Sequence, residues 1–126
     1  MTAADLDARR ASGAAVYART LGVPATESAA ALVTRTGAAF ADEALLAAGG
    51  NAWSHTGLTD RDRSIAVITA LTAQGITGDR LTTHLHRAHD EGLDANALTG
   101  LMILLASYLG YPNASLAMET VHKMDW

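Results

Sequence analysis

The sequence predicts an all-α fold of about six helices in a single domain over residues 1–126. Three observations point there. Apolar residues make up 49% of the chain but aromatics only 5%, so Ala and Leu must supply most of the core. Small side chains of this kind let helices approach closely. Apolar positions recur at helical spacing, no stretch alternates as a half-buried strand does, and Gly or Pro falls at each break between periodic segments.

The first helix opens at Thr2, where Asp5 completes an acidic version of the capping box, and runs to about residue 19. Leu21-Gly-Val-Pro24 ends it, because Gly suits a C-terminal cap and Pro cannot continue a helix. A second helix is expected over 27–47, with Ala29, Leu32, Val33, Ala38 and Phe40 as buried candidates, and Gly49-Gly50-Asn51 breaks it. Residues 51–58 read as a loop. Thr59 caps a third helix over 60–74, whose first turn carries Asp60 and Asp62, as the helix dipole favours. Ile65, Ala66, Val67, Ile68, Ala70 and Leu71 make it apolar nearly all round, which predicts a central position. Gly75 and Gly78 separate it from a fourth helix over 79–91, terminated by Gly92. Asp94 caps a fifth over 95–109, again almost wholly apolar, and after Gly110-Tyr-Pro112 a sixth runs to about residue 123. Two helices apolar on most sides exceed what one small domain can cover, so burial between subunits is expected.

Composition narrows the function. A net charge of −4 and an acidic pI argue against nucleic-acid binding, which needs a basic surface. No apolar run approaches the length of a membrane span. The acidic, polar N-terminus has no apolar region of the signal-peptide kind, so a cytoplasmic location is expected. The chain has no cysteine, which excludes disulfides, thiolate metal sites and thiol nucleophiles.

The chemistry-bearing residues cluster in two places, Trp53–Ser64 and Leu81–Gly92. On the fourth helix Leu81, Leu85 and Ala88 form an apolar stripe, and His84 falls on the same side. A titratable group there is either satisfied by a buried partner or functional. His86 points almost opposite, with His89 on the flank. The spacing His84-x-His86-x-x-His89 therefore fails as a metal site, and no metal is expected.

Several motifs in consistent order resemble the carboxymuconolactone decarboxylase family, related to the alkylhydroperoxidase D proteins. Trp53-Ser-His55-Thr56-Gly57-Leu58 is similar to the family's Trp-x-Arg-Pro-Gly-Leu, and Arg61-Asp62-Arg63-Ser64 to its Arg-x-Arg-Ser. Arg80-Leu81-Thr-Thr-His84-x-x-x-Ala88-x-x-x-Gly92 reproduces all but the leading Glu of Glu-Leu-x-x-His-x-x-x-Ala-x-x-x-Gly. Tyr108-Leu-Gly110-Tyr-Pro112-Asn-Ala114 matches Tyr-x-Gly-x-Pro-x-Ala. The resemblance covers about residues 10–122.

It implies an alkylhydroperoxidase D-like bundle, a homo-oligomer (trimer or hexamer) and a cofactor-independent lyase that decarboxylates an unsaturated carboxylated lactone or related small organic acid. The cysteines of the peroxidase relatives would fall at Thr77 and Arg80, so a cysteine-dependent peroxidase is excluded. Decarboxylation needs a held carboxylate, a conjugated system to take the charge, and a proton for carbon. Arg63 is the leading carboxylate anchor, because a guanidinium fork binds carboxylate bidentately; a structural ion pair is its other use. His84 and His55 are candidate acid–base groups, with a solvated loop position the plain reading of His55. Trp53 and Tyr108 can wall a pocket or simply pack.

The departures carry weight too. Arg80 replaces the family's Glu one turn before His84, which reverses the charge beside it and would depress the imidazole pKa. Gly100 and Leu104 stand where the family often has Glu and Gln. Architecture is kept while pocket polarity changes, which leaves room for an isomerase, cyclase or lactone-processing enzyme on another substrate, or a non-catalytic binding or assembly protein.

Overall fold

The computed structural model describes residues 1–126 and is all-α, with seven α-helices, one π-helical turn and no strand. The chain divides into two compact units, Met1–Gly57 and Leu58–Trp126.

The first unit holds α1 (Ala3–Leu21), α2 (Ala25–Thr36), α3 (Ala38–Ala47) and the π turn Ala48–Ala52. The expected capping box closes α1: Thr2 Oγ1 accepts from the Asp5 N–H at 3.1 Å, and Asp5 Oδ2 accepts from the Thr2 N–H at 3.0 Å. Gly22, at φ 68°, forms the left-handed cap that ends it.

The single helix expected over 27–47 is two. Gly37 adopts φ 84° and ψ 159°, which Gly tolerates and an L-residue resists, so the chain turns between α2 and α3. The turn also changes which residues reach the core. Leu32, Ala41 and Leu45 are buried, with Ala29 packed against them. Val33 and Phe40 stand 41% and 64% exposed, and Ala38 is exposed as well.

Glycine also permits the close approach of α1. A Cβ on Gly13 would meet the carbonyl oxygen of Leu45, and one on Gly49 the carbonyl oxygen of Arg9. Side chains then pin α1 to α3: Arg9 Nε donates to the Leu46 carbonyl at 2.6 Å, and Arg10 donates to both carboxylate oxygens of Asp42, at 2.7 and 3.3 Å.

The second unit holds α4 (Asp60–Ala73), α5 (Asp79–Asp90), α6 (Ala95–Leu109) and α7 (Tyr111–Lys123), within about a residue of the expected bounds. The predicted caps at Thr59 and Asp94 both form. The core gathers Ile68 of α4, Leu81, Leu85 and Ala88 of α5, Leu98, Met102 and Leu105 of α6, and Ala117 and Val121 of α7. Each fully buried Leu or Ile stabilises the unit by about 1.5–3 kcal/mol relative to an exposed one. The central positions expected for α4 and α6 are only partly realised. On α4 the buried positions are Arg63, Ser64, Ile68 and Thr72, three of them polar, and α6 leaves Ile103 and Leu104 68% and 56% exposed. No helix is long and apolar enough to cross a membrane.

Candidate functional site

The second unit presents its chemistry on the helical hairpin α4–α5. Thr59 starts α4 with a reciprocal capping box: its Oγ1 accepts from the Asp62 N–H at 3.1 Å, and Asp62 Oδ2 accepts from the Thr59 N–H at 2.9 Å. These bonds to the charged carboxylate hold the Asp62 pKa below its ordinary value. With the first turn fixed, Arg61 is exposed while Arg63 turns inward, only 7% exposed. Arg63 Nη1 donates to Asp60 Oδ1 at 3.2 Å, a partly exposed ion pair that keeps the buried guanidinium compensated.

Beyond Arg63 the inward stripe of α4 continues through Ser64, Ile68 and Thr72, spaced four residues apart. The hydroxyls of Ser64 and Thr72 are buried and have no hydrogen-bond partner. Leaving a polar group so costs about 1–3 kcal/mol.

On α5 the amphipathic pattern places Leu81, Leu85 and Ala88 inward, as expected. His84 lies on the same side, half-buried, with Nδ1 sealed and without a hydrogen-bond partner. Its pKa is lowered from the ordinary 6.5, first by burial, which penalises the imidazolium, and second by the positive charge of Arg87. The depression expected of His84 is present, but its charged source is one turn after the imidazole rather than one turn before. Arg80 is exposed, whereas Arg87 is 6% exposed.

Arg87 was not among the sequence candidates. Its signal was available: Arg87 shares the inward stripe with His84 and Ala88 by three- and four-residue spacing. All of the buried charged residues are basic (Arg63 and Arg87), and none is a carboxylate.

The remaining histidines of α5 separate as their spacing requires. His86 and His89 are exposed and receive Trp126, which stacks on His89 (ring centroids 4.8 Å apart, planes 13° apart) and meets His86 edge-on at 5.7 Å. No group of three or more His, Asp or Glu side chains has the arrangement of a metal site.

Of the other candidates, Tyr108 projects from α6, 81% exposed. Trp53 and His55 belong to the first unit, in the irregular segment after the π turn. Trp53 is half-buried and His55 exposed. The Gly57 N–H donates to His55 Nδ1 at 3.0 Å, so the neutral ring carries its hydrogen on Nε2. An apolar cleft of about 150 Å³ lies between α6 and α7; neither Arg63, Arg80, His84 nor Tyr108 lines it.

Residues 39–123, more than half of the chain, match the carboxymuconolactone decarboxylase family. The chain belongs to this family. Comparison with curated proteins and with solved structures finds no match. This carboxymuconolactone decarboxylase family member has no cysteine anywhere in the chain.

Proposed function

We propose that the protein is a cofactor-independent lyase of the decarboxylase type, acting on an unsaturated carboxylated lactone or a related small organic acid. The observation that carries this reading is His84: a half-buried imidazole biased toward its neutral form, one turn from a buried arginine, in a carboxymuconolactone decarboxylase family chain.

The chemistry divides among few groups. Arg63 holds the substrate carboxylate, since a guanidinium is always charged and matches the two oxygens. Loss of carbon dioxide breaks the bond between the ring carbon and the carboxylate. The electron pair passes into the conjugated system of the substrate, and a proton then closes on carbon. His84 supplies that proton through Nε2, because Nδ1 is sealed.

An imidazole biased toward neutrality must first be charged. An anionic substrate beside it does this, since a nearby negative charge favours imidazolium. Binding thus arms the donor. Arg80 and Tyr108, on the same unit as His84, are the substrate contacts of this reading.

One observation favours a second reading. A neutral imidazole takes a proton before it gives one, so His84 can also remove a proton from carbon beside a carbonyl and return it elsewhere. That is isomerisation, and it releases no carbon dioxide. Turnover of carboxylated unsaturated lactones, followed by carbon dioxide release and by product structure, separates the two. In either case His84→Ala lowers turnover by about 10²–10⁴-fold with helical content unchanged; undiminished turnover defeats the assignment.

A further inference from the structure

We propose that Arg87 is a further catalytic residue, whose guanidinium holds the carbonyl oxygen that takes up negative charge as the carboxylate leaves. The inference rests on the reaction class proposed above. It serves both readings, because decarboxylation and isomerisation of an unsaturated lactone each pass through an enolate.

The charge has to travel. At the start it sits on the substrate carboxylate, held by Arg63. When the bond from the ring carbon to the carboxylate breaks, carbon dioxide leaves neutral. The electron pair passes along the conjugated system to the lactone carbonyl oxygen. It returns toward carbon as the imidazolium of His84 gives up its proton, and His84 is left neutral. Arg63, on the carboxylate, stands at the far end of that path. A preorganised donor at the oxygen is commonly the largest single source of rate in such a step.

The second unit has one more buried cation to fill this place. Its buried charged residues are Arg63 and Arg87 alone, and Arg63 already donates to Asp60 at 3.2 Å. Arg61 and Arg80 are exposed. Helix geometry puts Arg87 within reach. Helices α4 and α5 pack on each other as a hairpin that turns at residues 74–78. Arg63 lies ten residues before Ala73, the end of α4, and Arg87 eight after Asp79, the start of α5. At 1.5 Å per residue they stand about 15 Å and about 12 Å from the turn, level to within one helical turn. His84, three residues before Arg87, is its neighbour on the inward side of α5, with Cβ atoms about 5–6 Å away. Packed helices have axes about 8–10 Å apart. One small lactone bridging the hairpin therefore meets all three groups.

Arg87 suits the task in two respects. At 6% exposed, its charge is little screened by water, and its reach is visible in His84, whose pKa it lowers. A guanidinium also keeps its proton. It steadies the oxygen without protonating it, which leaves carbon to receive the proton of His84. Ser64, beside Arg63 and level with Arg87, is 0% exposed with a hydroxyl that has no partner in the fold, a second donor for the same oxygen.

Kinetics on a carboxylated unsaturated lactone separates this role from that of Arg63. Arg87→Gln should lower kcat by about 10²–10³-fold with KM close to wild type, because the carboxylate stays on Arg63. Arg87→Lys, which keeps the charge, should recover part of the loss. A wild-type kcat for Arg87→Gln, in a protein that loses turnover on His84→Ala, overturns the inference and leaves the reaction standing. Binding decides it without turnover. Tetronate is a lactone that is already an enolate at neutral pH and carries no carboxylate. At millimolar concentration it should bind the wild type, and Arg87→Gln at least about 10-fold more weakly. Equal binding to both, or none to the wild type, overturns the inference. If Arg87→Gln does not fold, the wild type still answers: the NMR signal of the Arg87 Nε–H should shift on saturation with tetronate, and an unmoved signal overturns the assignment.

Discussion

Ser64→Ala and Thr72→Val should each stabilise the second unit, although both remove hydrogen-bonding capacity from a core helix. The hydroxyl-bearing residues are 0% and 1% exposed, and neither hydroxyl has a partner. A buried hydroxyl without a partner costs about 1–3 kcal/mol, and some of the gain from removing it is returned as lost packing at Ser64, so about 1 kcal/mol is expected from each variant. The two positions are eight residues apart on α4, about 12 Å along the axis, beyond the range over which substitutions couple. The double variant should therefore gain about 2 kcal/mol. For a chain of this size that raises the melting temperature by about 6–10 °C.

Urea denaturation followed by circular dichroism at 222 nm reads the effect as a higher midpoint with the slope unchanged. A lower midpoint for both single variants would refute the reasoning, because it would mean that each hydroxyl is satisfied in the folded protein. Activity adds a second reading. Buried polar groups left unsatisfied can be an exchange of stability for function, so a variant that is more stable but slower places these hydroxyls against the substrate.

Gly13→Ala should destabilise the first unit by about 2–3 kcal/mol, because the new Cβ falls on the Leu45 backbone rather than on a movable side chain; thermal unfolding measures it. For His84, Arg87→Gln should raise the pH midpoint of the imidazole, followed by NMR, while Arg87→Lys, which keeps the charge, should leave it closer to wild type. The same depression has a stability consequence: between the lowered folded value and the ordinary 6.5, the unfolded chain binds the proton and the folded chain does not. Stability from this group is complete above that window and falls as the pH drops through it. His84→Gln should remove that part of the slope in urea midpoints measured from pH 7 downward.

The helices of the second unit were legible because their signals are local. Thr59 with Asp62, Asp94, Gly92 and Gly110 mark boundaries through capping chemistry that needs no tertiary context, and each acts where expected. Gly37 was not legible: it sits in an alanine-rich stretch whose apolar pattern runs on without a turn signature, and only its positive φ reveals the break. The inward placement of His84 followed from spacing alone. The identity of the cation acting on it did not. Comparison with the family drew attention to Arg80, where a carboxylate was expected, whereas burial selects Arg87. Ser64 and Thr72 were invisible for a related reason, since a small polar residue in a core register looks ordinary until its neighbours offer it no partner. The exposed face of α6 was half legible: the sequence showed more apolar surface than one small domain covers, and the fold shows which stripe is left bare.

The central claim is that His84 moves a proton between itself and carbon. The most direct test is incubation with a carboxylated unsaturated lactone in deuterated water, with deuterium incorporation followed by NMR and carbon dioxide release measured alongside. The wild type should place one deuterium on a carbon of the conjugated system that took up the electron pair, with one carbon dioxide released per deuterium, and a folded His84→Ala variant should be slower by about 10²–10⁴-fold. Undiminished deuterium incorporation by that variant would contradict the account.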